Sequence, residues 1–138
     1  MINWKFDAHQ YDPTKPRGFE LIDVGDHRCR IEAAEESFSK KSGKQMIVLT
    51  LAIAGYKSKL RSYTVLDADN EERTNQHLGC IFETFGLTMG NMDIESWVGS
   101  AGGVRVKHEE YVKKDGNKGV RAVVDYFLPP DVTDKLPM

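Results

Sequence analysis

KKSGKQMIVLTLAIAG, residues 40–55, joins a basic turn to a long apolar run. Its first five residues resemble the end of a phosphate-binding loop. That motif needs a glycine five residues before the Gly-Lys pair, and position 38 is Phe38; it also needs Ser or Thr after the lysine, and position 45 is Gln45. The tip of a β-hairpin fits better. Gly43 then supplies a backbone angle, and Lys40, Lys41 and Lys44 are left to face a ligand. From Gln45 to Ala54 the chain is nearly unbroken apolar sequence rich in β-branched residues. It reads as a central strand buried on both faces and ended by Gly55.

Both flanks of this run are strand-like. From Asp26, the residues Cys29, Ile31 and Ala33 alternate with Arg28, Arg30 and Glu32, the period of two that a half-buried strand requires. KLRSYTVL, 59–66, is a third strand that places Lys59, Arg61 and Tyr63 on one face. The period then changes. Leu78, Ile81, Phe82 and Phe85 recur at the spacing of an amphipathic helix. Asp69 or Asn70 can cap its start, and Gly86 suits its end. A helical turn is expected at 93–98. GVRVKHEEYV, 103–112, and GVRAVVDYFL, 119–128, are two more strands, joined by the turn KKDGNKG. GSAGG, 99–103, precedes a strand rather than a helix and reads as a flexible lead-in. Residues 1–20, with Pro13 and Pro16 in YDPTKPRG, read as an extended arm that Trp4 and Phe6 can pin down. The start MINWKFDAHQ has no basic region followed by an apolar run, so no secretory signal is expected, and no stretch is long and apolar enough for a membrane helix.

The order β-β-β-α-β-β predicts an all-β fold with one helix: an OB-fold, a five-stranded antiparallel barrel. The chain then divides into an N-terminal arm (1–20), the barrel domain (21–128) and a C-terminal tail (129–138). In such barrels strands 2 and 3 and the loops joining strands 1–2 and 4–5 form the usual face for single-stranded nucleic acid. Here those loops are the most basic in the chain, and the fold is expected to bring them to the same side. The net charge of −2 hides a strong asymmetry: residues 37–66 sum to +6 without one acid, and residues 67–98 sum to −6. A local cationic segment of this kind suits a polyanion.

Chemistry of other kinds finds little support. His27 with Cys29, and His77 with Cys80, are a ligand set of the right type for zinc. Cys29, however, alternates inward with Ile31, and His77 and Cys80 lie on the flank of the helix, so the pairs are not expected to converge. No metal or other cofactor is expected, and both cysteines read as reduced thiols. Glu35–Glu36 and Glu109–Glu110 are adjacent pairs on strands and point to opposite faces. His9 and His108 lack a nucleophile partner. No catalytic residue is identified, and the chain is expected not to be an enzyme. Rings beside the basic residues carry more weight, because exposed aromatics stack bases. Phe38, Tyr63 and Tyr111 are the candidates, with Tyr56, Tyr126 and Phe127 behind them; Phe82 and Phe85 read as core.

The run from Gly18 to Gly55, the stretches YTVLDADNEERTNQHLG and FETFG, and WVGSAGGVRVKHEEY together resemble the small single-stranded DNA-binding proteins encoded by tailed bacteriophages and prophages, a family long catalogued as a domain of unknown function. The resemblance runs from about Phe19 to Phe127. It implies an OB-type barrel, sequence-independent binding of single-stranded DNA, and work in phage replication or recombination in the host bacterial cytoplasm. Phage recombination or replication proteins are implied partners, no membrane is, and a homo-oligomer is compatible. The ending PPDVTDKLPM lacks the acidic tail with a terminal aromatic found in many single-strand binders, so recruitment through such a tail is not expected.

On this reading Lys40, Lys41, Lys44, Lys57, Lys59 and Arg61 supply phosphate contacts from the first hairpins. Lys113, Lys114, Lys118 and Arg121 supply them from the last. Phe38, Tyr63 and Tyr111 stack bases. Two other readings stand beside it. One is a protein-interaction module that recruits a recombination or replication enzyme, with the acidic segment 67–98 as its contact. The other is a single-stranded RNA binder, since stacking and phosphate contacts do not separate the two polymers without a reader of the 2′-hydroxyl.

Overall fold

One extra residue in the first strand shapes the whole sheet. In the computed structural model, which describes residues 1–13 and 20–136, β1 (Gly25–Phe38) pairs antiparallel with β2 (Gln45–Ile53), and the register slips at Glu32 between Ile31 and Ala33. A bulge of this kind bends its strand and increases the twist. β1 consequently serves two ladders. Residues 25–30 pair with β4 (Ala101–Val112), while residues 29–38 pair with β2. β3 (Lys59–Val65) adds to β2, and β5 (Lys118–Phe127) adds to β4, with a second bulge between Arg105 and Val106. The result is one antiparallel sheet of five strands in the order β3-β2-β1-β4-β5.

The sheet curls until β3 and β5 lie against each other. Residues 20–22 enter between these two edges. Glu20 accepts hydrogen bonds from the backbone N–H groups of Lys57 (3.0 Å) and Ser58 (2.7 Å), which hold its carboxyl below the usual range. The Ile22 carbonyl lies 2.7 Å from His108 Nε2, and the Ile22 side chain is buried. No strand ladder joins β3 to β5 among the described residues.

Helix α1 (Glu71–Thr84) lies between β3 and β4 in the chain. Asn70 caps it by accepting from the Arg73 N–H, and Gly86, at φ +64°, takes the left-handed position just past its end. Leu78, Ile81, Phe82 and Phe85 face the core, as their spacing predicts. The turn expected at 93–98 is a single 3-10 turn, Ile94–Trp97, and it fills the core. Trp97 is fully buried, meets Phe82 edge to face with ring centroids 5.7 Å apart, and donates its indole N–H to the Asn91 carbonyl (2.9 Å). After β5, a short helix α2 (Pro130–Thr133) returns to the sheet, where the Arg28 guanidinium donates to the carbonyls of Asp134 and Leu136.

Three expectations need correction. β2 is not buried on both faces: Ile47, Leu49, Leu51 and Ile53 are buried, but Met46, Val48, Thr50 and Ala52 are only half-buried. The core lies on one side of the curled sheet, and the outer side of β2 has only its neighbouring strands for cover. GSAGG is not a loose lead-in, because Gly102 and Gly103 are strand residues between two helices. A Cβ on Gly102 would lie 2.8 Å from the Thr84 carbonyl oxygen of α1, and one on Gly103 would lie 2.4 Å from Thr133 Oγ1 of α2. Successive residues face opposite sides of a strand, so the pair admits one helix on each. Trp4 and Phe6 are exposed rather than packed against the described residues; Trp4 is 82 % exposed. Residues 14–19, which take in most of the YDPTKPRG loop, lie outside the described residues, as do Pro137 and Met138 of the tail.

No helix among the described residues is long and apolar enough to cross a membrane. Cys29 lies in the core, where burial pushes its thiol up to about 12, and Cys80 is exposed on α1. A thiol reagent is therefore expected to label Cys80 rapidly in the native protein and Cys29 only after denaturation. Equal rates for both would contradict the packing of β1.

Candidate functional site

Alternation along β3 sorts its side chains cleanly. Leu60, Ser62 and Thr64 are buried, while Lys59, Arg61, Tyr63 and Val65 are exposed. The register sets Tyr63 beside Val48 of β2, Arg61 beside Thr50, and Lys59 beside Ala52. Two cations and a ring thus form a row next to a strip of small and apolar side chains. Tyr63 is 58 % exposed. Lys59 forms an ion pair with Glu32, the bulge residue, whereas Arg61 forms none among the described residues.

A second cluster lies across β4 and β5. The Arg121 guanidinium is 5.6 Å from the ring centroid of Tyr111 and donates to Glu109 at 3.2 Å. Tyr111 also covers Gly119, where a Cβ would come within 2.7 Å of its ring. The two clusters meet where β3 approaches β5, since Lys59 and Arg121 line one small groove of about 220 Å³ with residues 20–22.

The basic hairpin tips do not share a side, contrary to expectation; they lie at opposite ends of β3. The tip 39–44 is fastened to the residues just after β3, because Lys44 Nζ contacts Asp67 at 2.5 Å and Asp69 at 3.1 Å and the Leu66 N–H donates to the Gln45 carbonyl. These contacts hold Asp67 below the ordinary carboxylate range and raise Lys44. The tip 113–117 continues from the strand that meets Lys59, at the other end. The physical cause is register: β4 pairs with the first half of β1 and runs away from the β1–β2 tip. Lys40 and Lys41 are exposed at one end, and Lys113, Lys114 and Lys118 at the other. Lys57 is exposed in the β2–β3 turn. Phe38 is exposed but pairs with Gln45, on the face opposite Tyr63. The predicted residues therefore form a strip rather than a cluster, running from Lys40 and Lys41 past Tyr63, Arg61 and Lys59 to Arg121, Tyr111 and the last tip.

A groove of about 610 Å³ runs between the end of β3 and α1, and sequence reasoning missed it. Tyr63 and Thr64 line it from β3. Asn70, Arg73, Gln76, His77 and Cys80 line it from the helix side. Thr64 and His77, two of the lining residues, each carry a buried side-chain atom, Oγ1 and Nε2, without a hydrogen-bond partner among the described residues. Burial, and secondarily the charge of Arg73, lowers the pKa of His77, which favours its neutral ring. The signal was present in the sequence, since residues 70, 73, 77 and 80 recur at helical spacing on the side away from the apolar stripe.

A family model described as protein of unknown function (DUF669) matches residues 9–127. No curated protein matches the chain.

Proposed function

We propose that this chain, which belongs to the DUF669 family, binds single-stranded DNA without sequence preference along the outer face of β2 and β3. The reading takes the curled sheet as an OB-type barrel. The strand order, the bent β1 shared by two ladders and the helix between β3 and β4 support it. Service in phage replication or recombination rests on the sequence resemblance alone.

The observation that carries the proposal is the outer row of β3. An exposed ring adjoins two cations and a half-buried strip of Val48, Thr50 and Ala52. Stacking is indifferent to base identity because every base has a π-face, and phosphate contacts carry no sequence information. A strip with exposed lysines at both ends suits a polymer that lies along it better than a compact ligand.

The test is fluorescence anisotropy of a labelled thymidine oligomer, with duplex DNA and an RNA of the same length as comparisons. Single-stranded DNA is expected to bind more tightly than duplex. Tyr63→Ala is expected to weaken binding roughly tenfold, within the range for loss of one stacked base. Tighter binding of RNA would move the reading to RNA, and no response to any polymer would overturn it in favour of a protein-interaction module.

A further inference from the structure

We propose that the groove between β3 and α1 receives one nucleobase, turned out of the bound strand. The inference rests on the single-strand reading above and adds a specific subsite to it.

Three observations converge. The first is size: about 610 Å³ falls within the roughly 300–1,000 Å³ of small-ligand sites. The second is the floor. Thr64 is 3 % exposed, and its hydroxyl has no partner among the described residues; the buried Nε2 of His77, which lines the same groove, has none either. Buried polar groups are ordinarily paired, so two in one groove mark a place where a ligand's polar edge completes the pairing. A hydroxyl both donates and accepts, and a neutral imidazole nitrogen does one or the other according to its tautomer. The third is the wall and rim. Tyr63 is the last ring of the outer row and also lines the groove, so the proposed strand path reaches its mouth without a break. Arg73 stands at the rim as a phosphate contact.

A ring wall, a floor of neutral hydrogen-bonding groups and one guanidinium match the π-face, polar edge and phosphate of a nucleotide. An apolar ligand would leave Thr64 and His77 unpaired, and a simple anion could accept from Arg73 and the Thr64 hydroxyl but would leave the Tyr63 ring without a stacking partner. Asp67, the one acid lining the groove, is already held by Lys44.

The test uses the full chain with two probes of equal length, a thymidine oligomer and an abasic deoxyribose-phosphate oligomer. The imidazole NMR signals of His77, assigned by their loss in His77→Gln, are expected to shift with the thymidine oligomer and not with the abasic one. Thr64→Val is expected to weaken thymidine-oligomer binding about tenfold, the effect of one hydrogen bond. It should leave abasic-oligomer binding unchanged. Thr64→Ser, which keeps the hydroxyl, should stay close to wild type. The valine variant should melt no lower than wild type, because it replaces an unpaired hydroxyl by a methyl group of the same shape. If the wild type binds the thymidine oligomer while His77 does not respond and Thr64→Val binds equally well, the subsite is overturned and the strand reading stands. If the wild type binds neither oligomer, both fall.

Discussion

Raising monovalent salt from 50 to 200 mM is expected to weaken binding of a thymidine oligomer about fifty-fold. Each phosphate neutralised on a single strand contributes about −0.7 to the slope of log affinity against log salt, so about four contacts set a slope near −2.8. The ion pairs say which cations supply it. Lys44 is held by Asp67 and Asp69, Lys59 by Glu32, and Arg121 by Glu109. A cation already paired within the protein must give up its carboxylate to take a phosphate, and it releases little counterion in doing so. Lys40, Lys41, Lys57, Arg61, Lys113, Lys114 and Lys118 have no ion-pair partner among the described residues, and about four of them, Lys40 and Lys41 included, are expected to set the slope. The double change Lys40→Ala, Lys41→Ala should therefore bring it to about −1.4 and weaken binding to all sequences alike. Lys44→Ala should leave the slope near −2.8. Equal effects of the two variants, or affinity indifferent to salt, would remove the electrostatic basis of the proposal. A loss confined to one sequence would replace it with base readout.

That contrast between Lys44 and its neighbours marks where sequence reasoning stops. Local period was enough to place β1, β3 and α1, because alternation and helical spacing depend only on which faces are apolar. The caps at Asn70 and Gly86 were legible for the same reason, since they answer a need of the helix itself. The outer row Lys59–Arg61–Tyr63 came from alternation within a single strand. What failed depended on register and curl. Whether β2 is covered on one side or two is decided by the other strands and not by its own composition. The ends at which the two basic tips lie are set by the half of β1 that each neighbour takes, which no local pattern announces. The partners of Lys44 lie 23 and 25 residues away in sequence, in a segment that charge counting sets apart as acidic. The two charge blocks were visible; that one fastens to the other was not. The groove beside α1 was hidden differently, because its polar stripe looks like an ordinary solvated flank until β3 is set against it.

The largest effect on stability is expected at a residue with no side chain. Gly102→Val should lower the melting temperature by about 10–15 °C. The new Cβ would meet the Thr84 carbonyl oxygen at 2.8 Å and the Phe85 ring at 2.9 Å. Backbone at the end of a helix cannot turn aside as a flexible side-chain end can, so α1 must shift as a body. Overpacking of this kind typically costs about 1–3 kcal/mol. The shift also breaks a buried pairing, in which Thr84 Oγ1 accepts from the Gly103 N–H (3.1 Å) and donates to the Gly103 carbonyl (3.3 Å). Leaving those groups unpaired adds about 1–3 kcal/mol. A total of about 3–4 kcal/mol, at roughly 3–4 °C per kcal/mol for a chain of this size, gives the stated shift. The control is Gly79→Ala. Gly79 lies within α1, a Cβ there meets nothing within 4 Å, and its φ is not positive. Alanine should stabilise that position by about 0.5–1 kcal/mol through helix propensity, raising the melting temperature by roughly 2–4 °C. Two glycine substitutions with opposite signs would locate the constraint in the contact between β4 and α1 rather than in glycine content. The same contact holds one wall of the groove beside β3, so a Gly102 variant that still folds should lose the thymidine-dependent shift at His77 while retaining the salt-dependent grip of the β3 row. Should Gly102→Val melt with the wild type, α1 does not pack against β4 as described, and the groove loses the wall that defines it.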